Sequence, residues 1–281
     1  MPLANVETGL KARGCAQLTV EHVSGQSAVT SAYARAPLKL LTPRARGQSA
    51  WVYTSSFGGG FVAGDETRLD LRLGSGARCF LGTQASTKIY RNPRRLACGH
   101  VTQAVIEENS LLVFAPDPVQ PFAESSYFQH QEFRLGAGSG LVLLDWFTSG
   151  RAARGERWAF NRLQSRNDVF LSGERVFMDS LRLDAAGQPV ASAHRTGRYN
   201  CFALLLLLGA PLQAAATDLL AALAASPVKR GAALIASASP VPHGAMLRVA
   251  GESVESVGRA LHSHLKFASA LLGDDPWARK W

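Results

Sequence analysis

Arg68-Leu69-Asp70-Leu71-Arg72-Leu73 alternates strictly between charged and apolar residues. That period of two is the mark of a strand with one face buried and one in water. Gly74-Ser75-Gly76 then breaks the pattern, and Ala77 to Thr83 reads as a partner strand returning through a hairpin. Val101 to Ile106, Leu111 to Phe114, Glu132 to Leu135 and Leu141 to Phe147 are further strands, separated by glycine, proline, asparagine or serine. No amphipathic stretch of helical length interrupts the region from Ala16 to Leu183. No repeat of fixed period is evident either, so a regular solenoid is not expected.

The texture changes after Arg198. Tyr199 to Leu208 reads as a buried strand. Leu212 to Ala225 is rich in alanine and leucine at helical spacing, and Pro227 stops it. Ala232 to Ala238 and Ala245 to Val249 read as two strands joined through Pro240, Pro242 and Gly244. Glu252 to Leu272 reads as one long helix with Val254, Val257, Leu261, Leu265 and Ala268 on one face. The order β-α-β-β-α resembles most of a split β-α-β unit. The expected fold is mainly β with an α+β C-terminal part: a β-rich body over residues 1–197, and a helix-bearing portion over 198–281 packed on it, with two helices in all. The two parts can also form one continuous domain.

The chain has 281 residues, 47% of them hydrophobic and only 18% charged, enough apolar content for a sizeable core. Its formal net charge is +9, which favours acidic partners. The basic clusters Lys88, Arg91, Arg94, Arg95 and Arg151, Arg154, Arg157, Arg162, Arg166 lack interleaved aromatics. They therefore read as solvated or protein-binding faces, not as a nucleic-acid groove. The four cysteines, Cys15, Cys79, Cys98 and Cys201, have no C-x-x-C spacing, which argues against structural zinc and fits a reducing compartment. The N-terminus lacks a long apolar segment of signal-peptide type, and Cys201 to Leu208 is too short to cross a bilayer.

Ser56-Phe57-Gly58-Gly59-Gly60-Phe61-Val62-Ala63-Gly64-Asp65 is the densest glycine run. Glycine-rich loops often cradle phosphate, but here no Lys-Ser/Thr follows Gly64, an acidic pair does, and a strand rather than a helix comes next. Two readings remain: a tight connection between strands, or a backbone-rich turn that aims Asp65 into a polar channel. In Pro116-Asp117-Pro118 the prolines fix a rigid loop, which can also present Asp117 and Phe122 to a partner. Asp145 ends a nearly continuous apolar run, so its carboxylate needs either water or a partner. Arg151 and Glu156 follow closely and can form an ion pair or frame a channel with it. The seven histidines form no local metal motif; His262 and His264 diverge on a helix, and His100 and the others stand alone. Neither a G-x-S-x-G elbow nor H-E-x-x-H occurs.

Taken in order, Leu38 to Pro43, the glycine run ending at Asp65, Thr83-Gln84-Ala85-Ser86-Thr87-Lys88-Ile89-Tyr90, Pro116 to Pro118, Asp145-Trp146, Ser149-Gly150-Arg151, Gly155-Glu156 and Trp158, and more faintly Gly244, Arg248 and the final helix, resemble the urease accessory protein D family, UreD or UreH. Thr83 to Tyr90 and Asp145 to Arg151 look closer to plant-type members than to many bacterial ones. The resemblance implies a mostly β, helix-capped scaffold with no catalytic turnover. It implies a cytoplasmic complex with UreF and the GTPase UreG that docks on apo-urease. Nickel would pass transiently through an internal tunnel, with no tightly bound cofactor, no nucleic acid and no membrane involved. On that reading Asp65, Asp145 and Glu156 are candidates for the nickel route, because hard carboxylates hold Ni²⁺ without the grip of thiolate. Gly58, Gly59, Gly60, Gly64, Thr83, Gln84, Thr87, Lys88, Asp117 and Arg151 form the partner- or structure-related motif. The apolar face of the final helix is expected to stay open until the F-type partner covers it. A hydrolase whose catalytic residues converge only in the fold is the alternative.

Overall fold

The computed structural model describes residues 14–44, 47–92 and 96–278. The body is a stack of parallel coils. Ala50–Ser56 leads through the short strand Gly60–Phe61 to Glu66–Leu73. The chain then repeats the circuit through Arg78–Thr83, Thr87–Ile89 and Cys98–Ile106, and again through Leu111–Phe114, Val119–Pro121 and Ser126–Leu135. A last circuit runs through Gly140–Thr148 and Arg162–Leu171, with the small hairpin of Gly150–Arg151 and Glu156–Arg157 on the short side. Corresponding strands of successive coils pair in parallel.

Two large sheets result. The seven-stranded sheet runs from the edge strand Glu174–Asp184 through four coil strands to Gly14–Val23 and the other edge, Gln26–Ala34. In the eleven-stranded sheet, Gly140–Thr148 is followed by Cys201–Gly209, Gly244–Gly251 and the edge strand Leu234–Val241, all antiparallel. The C-terminal strands thus extend the sheet of the body rather than forming a small sheet of their own.

The expected hairpin at Gly74 to Gly76 is instead a coil corner. Glu66–Leu73 pairs with Gly14–Val23 and Cys98–Ile106, whereas Arg78–Thr83 crosses to the other sheet. Alternation predicts a half-buried strand but does not name its neighbour, and here the neighbours are distant in sequence. The stacking escaped the search for a period because the coils differ in length. Thr67, His100, Gln129 and Ser165 stand in one row, unequally spaced along the chain.

The larger sheet is buried on both faces, which explains its unbroken apolar runs. Leu141, Leu143, Leu204, Leu206 and Leu208 face the smaller sheet. Val142, Leu144, Trp146, Leu205 and Leu207 face helix α1 (Gln213–Ala224), helix α2 (Val254–Leu265) and helix α3 (Phe267–Leu272). The final helix is therefore two helices, parted at Lys266. Ser253 caps α2, its hydroxyl accepting the Ser256 N–H at 3.2 Å. Val257, Leu261, Leu265 and Ala268 are buried in the chain itself, so the apolar face expected to await a partner is already covered. Burial of each leucine there contributes roughly 1.5–3 kcal/mol.

Candidate functional site

Between the two sheets the packing is not uniformly apolar. Register partners share a sheet face. On the inner face of the smaller sheet, Leu71, Ala104, Phe133 and Val169 form an apolar row. The next two rows are mostly polar: Leu69, Thr102, Gln131 and Asn167, then Thr67, His100, Gln129 and Ser165. Their side chains bond along and between rows. The His100 ring contacts Thr67 Oγ1 through Nδ1 at 2.8 Å and Thr102 Oγ1 through Nε2 at 3.1 Å. Burial lowers its pKa to about 4, so the ring is neutral at physiological pH. Gln131 Nε2 donates to Asn167 Oδ1 at 2.7 Å.

Asp145 points into these rows from the larger sheet. Its Oδ1 accepts from Gln129 Nε2 at 2.7 Å, and its Oδ2 accepts from Ser165 Oγ at 2.5 Å and Asn167 Nδ2 at 2.9 Å. All three donors are neutral, and no described cation lies within ion-pair distance of the carboxylate. Burial raises its pKa, and the three hydrogen bonds only partly offset this. Asp145 borders two spaces. One is a cavity of about 140 Å³ also lined by Thr83, Gln84, Thr87, His100, Asp117, Gln129 and Gln131. The other is a cleft of about 580 Å³ beyond it, lined by Phe147, Asp179, Phe202, Ile235 and Arg248 among others.

A family model described as "UreD urease accessory protein" matches residues 12–281. The chain belongs to the UreD family. It is 47% identical over 269 residues to the urease accessory protein UreD of Sorangium cellulosum, covering 95% of this chain and 84% of the relative. Identity to UreD of Anaeromyxobacter sp. is 41% over 273 residues, covering 97% and 91%. Identity to urease accessory protein D of Oryza sativa subsp. indica is 34% over 286 residues, covering 92% and 93%. Over the whole chain it is thus nearer to these two bacterial relatives than to rice, while rice stands above UreD of Herpetosiphon aurantiacus, which is 30% identical over 233 residues. As a UreD-family member it is a urease accessory protein and not a catalytic enzyme.

The UreD motifs fall into two groups in space. Thr83, Gln84, Thr87 and Asp117 gather at the cavity. Asp117 N–H donates to Thr83 Oγ1 at 2.7 Å, and that hydroxyl donates to Asp117 Oδ2 at 3.1 Å. Gln84 Oε1 accepts from Ser55 Oγ at 2.7 Å. Asp65 closes its own turn instead: its Oδ2 accepts the Val62 N–H at 2.8 Å, and its N–H donates to Val62 O at 3.0 Å. Gly58, Gly59 and Gly64 take positive φ in and beside that turn. Gly60 pairs with Lys88, a β-carbon there falling 2.2 Å from the Lys88 carbonyl oxygen.

Glu156 is bound to Arg151 by a two-point ion pair and accepts the Ala123 N–H at 3.2 Å. The Arg151 hydrogen bond is the main cause of the lowered Glu156 pKa. The Arg151 guanidinium also lies 4.2 Å from the Phe122 ring centroid. Neither Asp65 nor Glu156 lines the cavity or the cleft, so the structure does not bring them to Asp145. Arg157 is spent on Asn200, Gly197 and Tyr199, and Arg162 and Arg166 on Asp184 and Asp168. Arg94 and Arg95 lie outside the described residues. Burial pushes the thiols of Cys79, Cys98 and Cys201 up to about 12, which keeps them protonated and unreactive.

Sequence reasoning missed Gln129, Gln131, Ser165 and Asn167. A signal for them exists. In Tyr127-Phe128-Gln129-His130-Gln131-Glu132-Phe133, the glutamines occupy the same phase as Tyr127 and Phe133, the phase that points inward. Polar residues in the buried phase of a strand mark an interior hydrogen-bond network.

Proposed function

We propose that this UreD-family chain is a non-enzymatic scaffold for nickel insertion into apo-urease. It works in the cytoplasm with UreF and UreG, and Ni²⁺ passes as cargo through its polar interior. The observation that carries this reading is Asp145, a buried carboxylate held only by neutral donors and bordering both the cavity and the cleft. An interior anion without a counter-cation attracts a divalent ion more strongly than a solvated one would. Carboxylate, amide and hydroxyl oxygens suit a hard or borderline cation held weakly enough to leave. Beside the Asp145 carboxylate such oxygens are the Ser165 hydroxyl and Asn167 Oδ1, while Gln129 and Gln131 contribute neutral amide nitrogens, and none of the four is a thiolate or a charged nitrogen.

The hydrolase alternative has no comparable support. His100, the histidine in the cavity lining, has both ring nitrogens on threonine hydroxyls, so no carboxylate orients it as a base.

The test is complementation. In cells that express apo-urease, UreF and UreG but lack a UreD chain, supplying this protein should restore both urease activity and urease-bound nickel. A tagged copy should co-purify with UreF, and with UreG through UreF. Urease that fills with nickel equally well without this chain would overturn the reading.

A further inference from the structure

The polar row of the smaller sheet does not end at Asn167. Its register partner on the edge strand Glu174–Asp184 is Asp179. In the larger sheet, Asp145 stands opposite Leu204, Leu204 opposite Arg248, and Arg248 opposite Ser237. The two rows face each other and are joined twice. Asn167 Nδ2 reaches Asp145 at 2.9 Å, and farther out an Arg248 guanidinium nitrogen reaches Asp179 Oδ1 at 2.6 Å. Asp145 and Arg248 are separated by two strand spacings, about 10 Å.

Asp145, Asp179 and Arg248 all line the 580 Å³ cleft, whose remaining wall is largely apolar. Arg248 is the one cation among the described lining residues. Its side chain is 59% exposed, while that of Asp179 is 17% exposed. The pair therefore joins a sheltered carboxylate to a guanidinium that reaches water on a flexible stem. Such a pair adds little to stability. Its position, at the outer end of a row that begins in the cavity, is what sets it apart.

We infer that Arg248 is a displaceable counter-cation that closes the cleft end of the polar path. It neutralises Asp179 when no metal is there, and a divalent cation moving between Asp145 and solvent takes its place while the guanidinium swings into water. This rests on the reading of the interior as a nickel route. Two carboxylates facing one cleft would otherwise retain a divalent ion; a built-in competitor keeps the mouth weak enough to release it. Arg248 is thus a positioning residue for cargo exchange, acting through Asp179.

The experiment titrates Ni²⁺ into the full-length chain at low salt by calorimetry and measures urease activation by the complete accessory set in parallel. Arg248→Gln should bind Ni²⁺ about two- to fivefold more tightly, the full worth of a largely solvated ion pair, yet activate urease more slowly. Arg248→Lys, which keeps the charge, should resemble the wild type in both. Asp145→Asn should lose binding and activation whichever residue stands at 248. Unchanged Ni²⁺ affinity and activation in Arg248→Gln, with Asp145→Asn still defective, would overturn the role of Arg248 and leave the route standing. Normal binding and activation in Asp145→Asn would overturn the route and the inference with it. A lowered melting temperature in Arg248→Gln without tighter Ni²⁺ binding would mark the pair as structural and also overturn it.

Discussion

Asp145→Asn is expected to abolish nickel-dependent urease activation while leaving the protein as stable at neutral pH as the wild type, or more so. Asparagine keeps the shape and an acceptor oxygen toward Ser165 and Asn167. Its NH2 replaces the oxygen that Gln129 donates to, so the Gln129 amide must turn over to accept, and the buried charge is gone. The sign follows from the raised carboxyl pKa, whose first cause is burial. A group whose folded pKa lies above its unfolded value of 3.8 stabilises the fold below that value, and the contribution is lost as pH rises through the folded pKa. Above the unfolded value the raised pKa therefore costs the fold stability, and the amide, which does not titrate, removes that cost. The melting-temperature advantage of Asp145→Asn should shrink as the pH is lowered from neutral toward the ordinary carboxylate range.

Asp145→Ala should behave differently. It strands three buried donors at once, and the loss should be about 3–5 kcal/mol in chemical denaturation. The two variants together separate charge from structure. If asparagine lowers stability and activation in equal measure, Asp145 is a structural residue and the nickel route is wrong.

Gly60→Ala should destabilise the chain by about 3 kcal/mol, the upper end of what overpacking costs. The reason is contact, not backbone strain. Gly60 is in extended geometry at φ 172, but its strand lies against Lys88 so closely that a β-carbon would sit 2.2 Å from a carbonyl oxygen. The obstacle is backbone and cannot rotate away. Gly58→Ala is the control. Gly58 has φ +76 with nothing within 4 Å of an added β-carbon, so the cost should be only the left-handed penalty, about 1 kcal/mol. Equilibrium denaturation of both variants at neutral pH measures the difference. Equal losses would mean that the side strands are not packed as tightly as their pairing indicates.

Several elements were legible because their cause is local. Alternation fixed the strand at Arg68 to Leu73, and helical spacing with a stop at Pro227 fixed α1. The apolar stripe from Val257 to Ala268 was legible as one face, but the expectation that it stays open for a partner failed, because the chain's own sheet covers it. The ordered motifs from Leu38 to Glu156 identified the family, since a set of short signals in sequence order needs no structure to be specific.

The tertiary structure alone decided which strands are neighbours and which carboxylate is interior. Strand pairing between coils of unequal length has no sequence period, so the stacking of Thr67, His100, Gln129 and Ser165 becomes visible only when the rows align. Asp65, Asp145 and Glu156 were grouped as one candidate route, and only the apolar run before Asp145 hinted at a difference. In the fold, Asp65 bonds to its own loop and Glu156 to Arg151, while Asp145 faces inward. The physical reason is that a carboxylate's behaviour is set by what surrounds it in space. The donors around Asp145 lie on strands 16 to 22 residues away along the chain, brought together only by packing one sheet on the other.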